Sequence, residues 1–313
     1  MRAVMSDNRK SDYIRVAYYY YKAKLTQEEI ARKMNMSRQR VNRILGRCEG
    51  EGIVRIEIVG YDSLFLDLET ALESRFGLDE VRIVGYDAPG DIYAELGTAA
   101  SRYLAGIIKD GDVIGFSRGR ATAALVDSMT AVNREGITAT QLVGGWNGKG
   151  NNIDVDDIVS RFARKLKAEV NKLYAPVIVK SPAIRRSIME EPYFRSAYDS
   201  MKSCTIAAVG IGNIENQGFP AGGTAVQDQR RLIPEEAVGE ICARFYDING
   251  KRVVTSLDNR IIAIEPEDFL RIPVRIGVAG APGKLDAITG ALKGKYVNVL
   301  ITDQETARAL LER

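Results

Sequence analysis

Apolar and polar positions follow a helical period at the start of this chain of 313 residues and a different pattern further on. Between residues 25 and 45 the apolar positions recur at helical spacing on both sides of Asn35, a good turn residue, which predicts two helices joined by a tight turn. Thr26 is expected to begin the first of them in a capping box, and Asp12 to cap an earlier helix. Residues 53–58 alternate apolar with charged side chains, as in a half-buried strand, so the segment predicts a winged helix-turn-helix.

The second helix of this pair carries polar side chains on one face. Ser37 can cap it, and Val41, Ile44 and Leu45 form its apolar stripe. The opposite face has the side-chain types that contact guanine, adenine and phosphates in the major groove of DNA. An ordinary helical hairpin with a solvated basic face is the alternative. We predict that the DNA-binding residues are Thr26, Gln27, Ser37, Arg38, Gln39, Arg40, Asn42 and Arg43.

Charge divides the chain into two parts. Residues 1–60 contain 13 Lys and Arg against 7 Asp and Glu, whereas the remainder contains 31 against 34. A basic N-terminal domain suits phosphate neutralisation, and it predicts an affinity for DNA that falls steeply with salt. A membrane surface suits this domain less well, because no broad apolar face remains once its core is filled.

From about residue 61 predicted strands alternate with predicted helices, which is typical of a mainly parallel, doubly wound sheet. The predicted strands are 80–84, 113–116, 138–143, 177–180, 205–209, 275–278 and 297–301. The predicted helices are 64–76, 91–108, 121–129, 155–173, 285–292 and 304–311. We therefore expect an α/β protein: a small all-α winged helix-turn-helix domain over residues 1–60, followed by a doubly wound α/β domain over residues 61–313.

Glycine-bearing loops follow four of these strands: 117–120, 144–150, 210–213 and 280–284. Doubly wound sheets bind ligands beyond the carboxyl ends of their strands, and glycine lets backbone N–H groups approach an anion closely. Arg118, Arg120 and Lys284 can add positive charge. Together the loops predict a pocket for a small polyol or sugar phosphate, although each loop taken singly could be only a tight turn.

The composition argues against several other kinds of protein. The three cysteines are scattered, so we expect neither a disulfide framework nor a zinc site. The chain has no histidine, the commonest general base and metal ligand. This argues against catalysis without excluding it, since enzymes can use Glu, Lys or Cys instead. We expect no enzymatic activity, no cofactor and no metal. The stretch 277–284 is similar to a P-loop, but Val278 and Leu285 stand where that motif needs Gly and Ser or Thr. No apolar run approaches about 20 residues and no signal segment is evident, which favours a cytoplasmic protein without a membrane partner.

Several segments, taken in order, carry a resemblance that covers nearly the whole chain. They are YYYYKAKLTQEEIARKMNMSRQRVNRIL, GDVIGFSRGRAT, QLVGGWNG, AAVGIGNIE, AVGEICARFYDINGKRV and IPVRIGVAGAPGKLDAITGALKGKYVNVLITDQETARALL. With these segments the chain resembles the SorC family of bacterial transcription regulators. The resemblance implies a helix-turn-helix domain, an effector domain similar in fold to sugar-phosphate isomerases, and assembly as dimers and tetramers. It also implies that the effector is a sugar, a polyol or one of their phosphates.

The same resemblance assigns an effector site by position. The implied residues are Ser117, Arg118, Gly119, Arg120, Ala121, Gly144, Gly145, Glu240 and Lys284. Asn152 and Asp154 belong to a polar run that could contact sugar hydroxyls, with a solvated loop as the alternative. Arg118 stands where many relatives carry tryptophan. Val143 stands where some relatives carry a basic residue, so a Schiff base cannot form there and a phosphorylated effector loses one positive partner.

Three functions remain open at this stage. The first is a regulator of a carbohydrate or polyol catabolic operon that binds double-stranded operator DNA as a homo-oligomer, a dimer or a tetramer, under control of the effector. The second is a sugar-phosphate isomerase or deaminase with an accessory DNA-binding head, for which Glu240 and Asp247 are the candidate bases. The third is a constitutive structural DNA-binding protein, which would leave the glycine loops unexplained.

Overall fold

The structure is a computed structural model that describes residues 7–56, 65–85, 91–145, 153–214 and 233–313. It divides into two compact units, Met1–Ser63 and Leu64–Arg313. The predicted domain boundary at residue 60 lies outside the described residues and stays a prediction. None of the helices in the described ranges is long and apolar enough to cross a membrane.

Residues 7–56, the described part of the first unit, form three helices and a short π-helical turn. Its elements are α1 (Asp7–Ala17), the π-helical turn Tyr18–Lys22, α2 (Gln27–Lys33) and α3 (Arg38–Cys48). Val16, Ile30, Val41 and Ile44 are buried together where the three helices meet. Asn35 joins α2 to α3 with a left-handed φ of 50°, which Asn tolerates better than most residues. The predicted helix-turn-helix is therefore present.

Two predictions in this unit were wrong. Asp12 does not cap a helix, because α1 begins at Asp7 and Asp12 lies within it, where its carboxylate is 3.7 Å from the guanidinium of Arg40. Residues 53–56 form no strand, since a strand needs a hydrogen-bonded neighbour and the described part of this unit offers none. Residues 57 and 58, the end of the predicted wing, lie outside the described residues.

A seven-stranded parallel sheet organises the second unit in the order β1-β11-β10-β5-β2-β3-β4. The strands are β1 (Glu80–Val84), β2 (Val113–Phe116), β3 (Thr138–Gln141), β4 (Glu169–Asn171), β5 (Ile206–Gly210), β10 (Val274–Val278) and β11 (Val299–Asp303). Both faces are covered: along β5, Ile206 and Ala208 contribute to one apolar cluster, and Ala207 and Val209 to the other. This burial on both sides explains why the strands read as short continuous apolar runs.

Helices and a small second sheet complete the unit. The helices are α4 (Leu66–Phe76), α5 (Ile92–Ile107), α6 (Arg120–Ser128), α7 (Val155–Leu166), α8 (Pro182–Glu190), α9 (Pro192–Lys202), α10 (Pro266–Arg271), α11 (Leu285–Lys293) and α12 (Gln304–Glu312). Four antiparallel strands form the second sheet: β6 (Gly212–Asn213), β7 (Ala237–Ile241), β8 (Arg244–Asp247) and β9 (Arg252–Val253). This small sheet, α8, α9 and α10 were not predicted from the sequence.

Other bounds differ from prediction, since the strands predicted over 138–143 and 297–301 are Thr138–Gln141 and Val299–Asp303. The helix predicted over 155–173 ends at Leu166, because Lys167 adopts a left-handed φ of 55° and the chain then enters the edge strand β4. Residues 177–180 form only isolated bridges, such as Ile178 with Ile261, and not a strand of the main sheet. The strands 80–84 and 113–116 have the predicted bounds.

Candidate DNA-binding face and effector site

Side-chain caps fix the start of both helices of the helix-turn-helix. The Ser37 hydroxyl accepts a hydrogen bond from the Arg40 N–H at 3.2 Å. Thr26 and Glu29 form a reciprocal capping box, in which the Glu29 carboxylate accepts from the Thr26 N–H at 2.8 Å. That bond is the main reason that the pKa of Glu29 lies below its usual value. The caps set where α2 and α3 begin, and so which side chains of α3 point outward.

The outward face of α3 is polar and uncovered within the first unit. Val41, Ile44, Leu45 and Cys48 of this helix are buried. The predicted contact residues Arg38, Gln39, Arg40, Asn42 and Arg43 are all exposed. Gln27, at the start of α2, reaches the same face, since its side-chain amide lies 3.5 Å from that of Asn42. A helix with this face has the shape and the donors that major-groove recognition requires.

The predicted glycine loops follow strands that are neighbours in the sheet. Loops 280–284, 210–213, 117–120 and 144–150 come after β10, β5, β2 and β3, which lie side by side in that order. From β2 the chain builds the sheet outward through β3 and β4, and from β5 it builds in the other direction through β10 and β11. The boundary between β2 and β5 is therefore the topological switch point, where a doubly wound sheet forms its crevice.

Ser117 and Gly119 shape the loop that follows β2. The Ser117 hydroxyl accepts a hydrogen bond from the Gly210 N–H at 3.0 Å, which ties this loop to the one after β5. Gly119 has a φ of 141°, a conformation that a residue with a side chain rarely adopts, and it precedes α6 without a side-chain cap. The uncapped first turn of α6 carries Arg120 and Ala121, and its backbone N–H groups suit an anion.

Lys284 and Glu240 lie together on the other side of the switch point. The Lys284 ammonium donates to the Ile211 carbonyl at 2.8 Å, and burial lowers its pKa to about 8 against the opposing effect of Glu240. The Glu240 carboxylate accepts from the Ala243 N–H at 2.9 Å. Burial raises the pKa of Glu240, while Ala243, Arg118 and Lys284 act in the opposite direction. Arg118, Glu240 and Lys284 therefore belong to one cluster of interacting charges.

Tyr93 joins this cluster and was missed by sequence reasoning. Its hydroxyl accepts a hydrogen bond from the Arg120 guanidinium at 2.9 Å, and the same guanidinium lies 4.2 Å from the centre of the ring. The Lys284 ammonium is 5.9 Å from that centre. Arg120 lies 27 residues from Tyr93, so no local pattern connects the two residues. The only sequence signal was the place of Tyr93 in the first turn of a helix that follows a strand.

Gly144, Gly145 and Asp154 lie at the end of β3, one strand away from the cluster. A side chain at Gly144 would press on the backbone of residues 175–177, so the chain needs glycine there. Asp154 stands before α7 without bonding the backbone of that helix, beside Gly145. Its buried Oδ1 has no hydrogen-bond partner among the described residues. Val143 is buried, and Asn152 lies outside the described residues, so its role stays a prediction.

Two further observations concern possible metal ligands and the second candidate base. In the described ranges, no cluster of three or more Asp, Glu or Cys side chains could hold a metal ion. Asp247, the second candidate base, accepts hydrogen bonds from the N–H groups of Asn249 and Lys251, both at 2.9 Å. Its side chain therefore organises a turn between β8 and β9.

Comparisons with known proteins follow the same division of the chain. A family model described as "Putative sugar-binding domain" matches residues 63–312, and a MarR family model matches residues 11–63. The sorbitol operon regulator of Klebsiella pneumoniae is 32% identical over 96% of this chain and 97% of its own length. The deoxyribonucleoside regulator of Bacillus subtilis is 30% identical over 95% and 96%. The crystal structure of the full-length Klebsiella regulator superposes with a TM-score of 0.73 at 31% identity, and the match covers 98% of this chain and all of that one.

Proposed function

Because this chain belongs to the SorC family of sugar-binding transcription regulators, we propose that it controls a carbohydrate or polyol catabolic operon. In this proposal residues 1–60 bind double-stranded operator DNA, and residues 61–313 bind a sugar, a polyol or a sugar phosphate that governs the DNA binding. The observation that carries the proposal is the exposed polar face of α3, set by its Ser37 cap on a buried apolar stripe.

The proposed DNA contacts divide by chemistry. Arg38, Gln39, Asn42 and Arg43 would contact base edges, because guanidinium and amide groups match guanine and adenine in the major groove. Thr26, Gln27, Ser37 and Arg40 lie at the helix starts and would position the unit on phosphates. A palindromic operator calls for two such units, so the active species is a homo-oligomer, a dimer or a tetramer.

The proposed effector site lies beyond the carboxyl ends of β2, β5 and β10. Ser117, Gly119 and Ala121 would offer backbone and hydroxyl groups, with Arg118, Arg120 and Lys284 supplying positive charge. Glu240 would accept hydrogen bonds from sugar hydroxyls. The far end of the effector would contact Gly144, Gly145, Asn152 and Asp154. The buried oxygen of Asp154 that has no hydrogen-bond partner among the described residues supports such a contact.

We also propose that the chain catalyses no reaction on this effector and acts in the cytoplasm, where operator DNA is found. Isomerisation or deamination needs a base poised on the substrate. One carboxylate oxygen of Glu240 is already bonded to the Ala243 N–H, and Asp247 belongs to a turn. Relatives named as transcription regulators agree with this view.

Binding of the full chain to the DNA upstream of its own operon tests the proposal. In a gel-shift titration, we expect a Kd that rises steeply with salt, because Lys and Arg neutralise phosphates. Arg38→Ala and Arg43→Ala should each weaken binding by roughly 5- to 150-fold, the range of one good base contact. Arg102→Ala, an exposed arginine of α5, is the matched control and should leave the Kd unchanged. Full affinity in both Arg38→Ala and Arg43→Ala would show that α3 is not the reading helix.

A further inference from the structure

Tyr93 is held rigidly in the first turn of α5. Its backbone N–H donates to the Asp91 carboxylate at 3.0 Å, which caps the helix, and its half-buried ring packs against the apolar cluster on one face of the sheet. The ring therefore has a fixed place beside the loop that follows β2. A fixed aromatic ring can hold a flexible cation in one orientation.

Arg120 is the cation that Tyr93 holds. It is an exposed residue at the start of α6, where a long side chain would otherwise sample many rotamers. The guanidinium carbon lies 4.2 Å from the ring centre. The tyrosine hydroxyl accepts a hydrogen bond from the guanidinium at 2.9 Å. Within the described residues no carboxylate forms an ion pair with Arg120. The tyrosine orients this charge without neutralising it.

The same ring also borders Lys284, whose ammonium is 5.9 Å from the ring centre. Burial is the main cause of the lowered pKa of Lys284, and the charge of Arg120 acts in the same direction. The negative face of an aromatic ring attracts both cations and so stabilises them near each other. An anion bound between the two cations would stabilise them further. The arrangement thus keeps two positive charges together, ready for a negative group.

We propose that Tyr93 is a positioning residue that presents Arg120 beside Lys284 to an anionic group of the effector, and so makes the site prefer a phosphorylated sugar or polyol over its neutral parent. This inference rests on the proposed function, because it deepens the effector site described there.

Binding of inorganic phosphate to the full chain tests the inference. It is measured by calorimetric titration and by the shift in Tm. Tyr93→Phe keeps the ring and removes the hydroxyl, and we expect phosphate to bind about threefold more weakly. Tyr93→Leu removes both contacts, and we expect roughly a tenfold loss. Tyr193→Leu, an exposed tyrosine of α9 outside the site, is the matched control and should bind phosphate like the unsubstituted protein.

A double-mutant cycle separates positioning from a merely structural role. If Tyr93 acts through Arg120, Tyr93→Leu should have little further effect on the Kd of phosphate in an Arg120→Gln background. An equal loss in both backgrounds, or unchanged phosphate binding by Tyr93→Leu, would overturn the inference. It would also be overturned if the unsubstituted protein ignored phosphate while a neutral polyol still altered its DNA complex, and that result would leave the proposed function standing.

Discussion

At the scale of single residues, the proposed effector site includes a lysine whose pKa is lowered. Burial brings the pKa of Lys284 down from the ordinary lysine value of 10.5 to about 8, with Arg120 acting in the same direction and Glu240 against it. The unfolded chain therefore holds this proton up to a higher pH than the folded one. Between about pH 8 and 10.5 Lys284 is mostly neutral in the folded protein and mostly charged in the unfolded chain. This residue therefore makes the free energy of unfolding rise with pH in that range.

Binding of an anion should have the opposite pH dependence. An anionic group of the effector needs Lys284 protonated, so we expect affinity to be constant below about pH 8 and to fall above it, approaching tenfold per pH unit. Calorimetric titration with inorganic sulfate, which stays doubly charged between pH 6.5 and 9.5, measures this profile. Lys284→Arg, which keeps its charge, should flatten it. A fall of the same steepness in Lys284→Arg would show that another group controls the binding.

At the scale of elements, the packing of α5 on α6 sets the distance between Tyr93 and Arg120. The two helices are in close contact at Gly97, where a Cβ atom would lie 2.5 Å from the backbone carbon of Ala124. The Ser101 hydroxyl adds a hydrogen bond to the carbonyl at the end of α6, at 3.0 Å. Because backbone atoms cannot give way as a flexible side chain can, glycine at this position keeps the helices together.

Gly97→Ala should therefore destabilise the second unit. We expect the free energy of unfolding to fall by about 1–3 kcal/mol, the usual cost of overpacking, and phosphate binding to weaken as Tyr93 and Arg120 separate. Gly106→Ala, near the end of the same helix, meets no atom within 4 Å and should gain up to about 1 kcal/mol from helix propensity. Denaturant unfolding compares the two, and equal stability of both variants would refute the close-packing argument.

Elements that follow local rules could be predicted from the sequence, and features that depend on tertiary packing could not. The helix α3 could be predicted because its cap Ser37, the turn residue Asn35 and its apolar periodicity are all local signals. The end of α7 was missed because Lys167 takes a left-handed conformation that its residue type does not signal. Tyr93 was missed because its role depends on the packing of α5 against α6, which no local pattern encodes.

At the scale of the whole molecule, the chain joins a basic DNA-binding unit to an effector unit in which Arg120 and Lys284 lie near one tyrosine ring. For a ligand of the second unit to control the first, it must bind two states of the protein with different affinity. The strands β10, β5, β2 and β3 that precede the proposed site are neighbours in the sheet. A ligand that contacts residues after more than one of them can favour one arrangement of the unit over another. The central claim is this coupling between effector and operator.

The most direct test is the fluorescence anisotropy of labelled operator DNA titrated with the full chain, at one fixed salt concentration, with and without the sugar or sugar phosphate that raises Tm most. We expect the Kd for operator to change by roughly 5- to 150-fold, the usual range of allosteric coupling, and the change to be lost in Glu240→Gln. An effector that raises Tm but leaves the operator Kd unchanged would contradict the account.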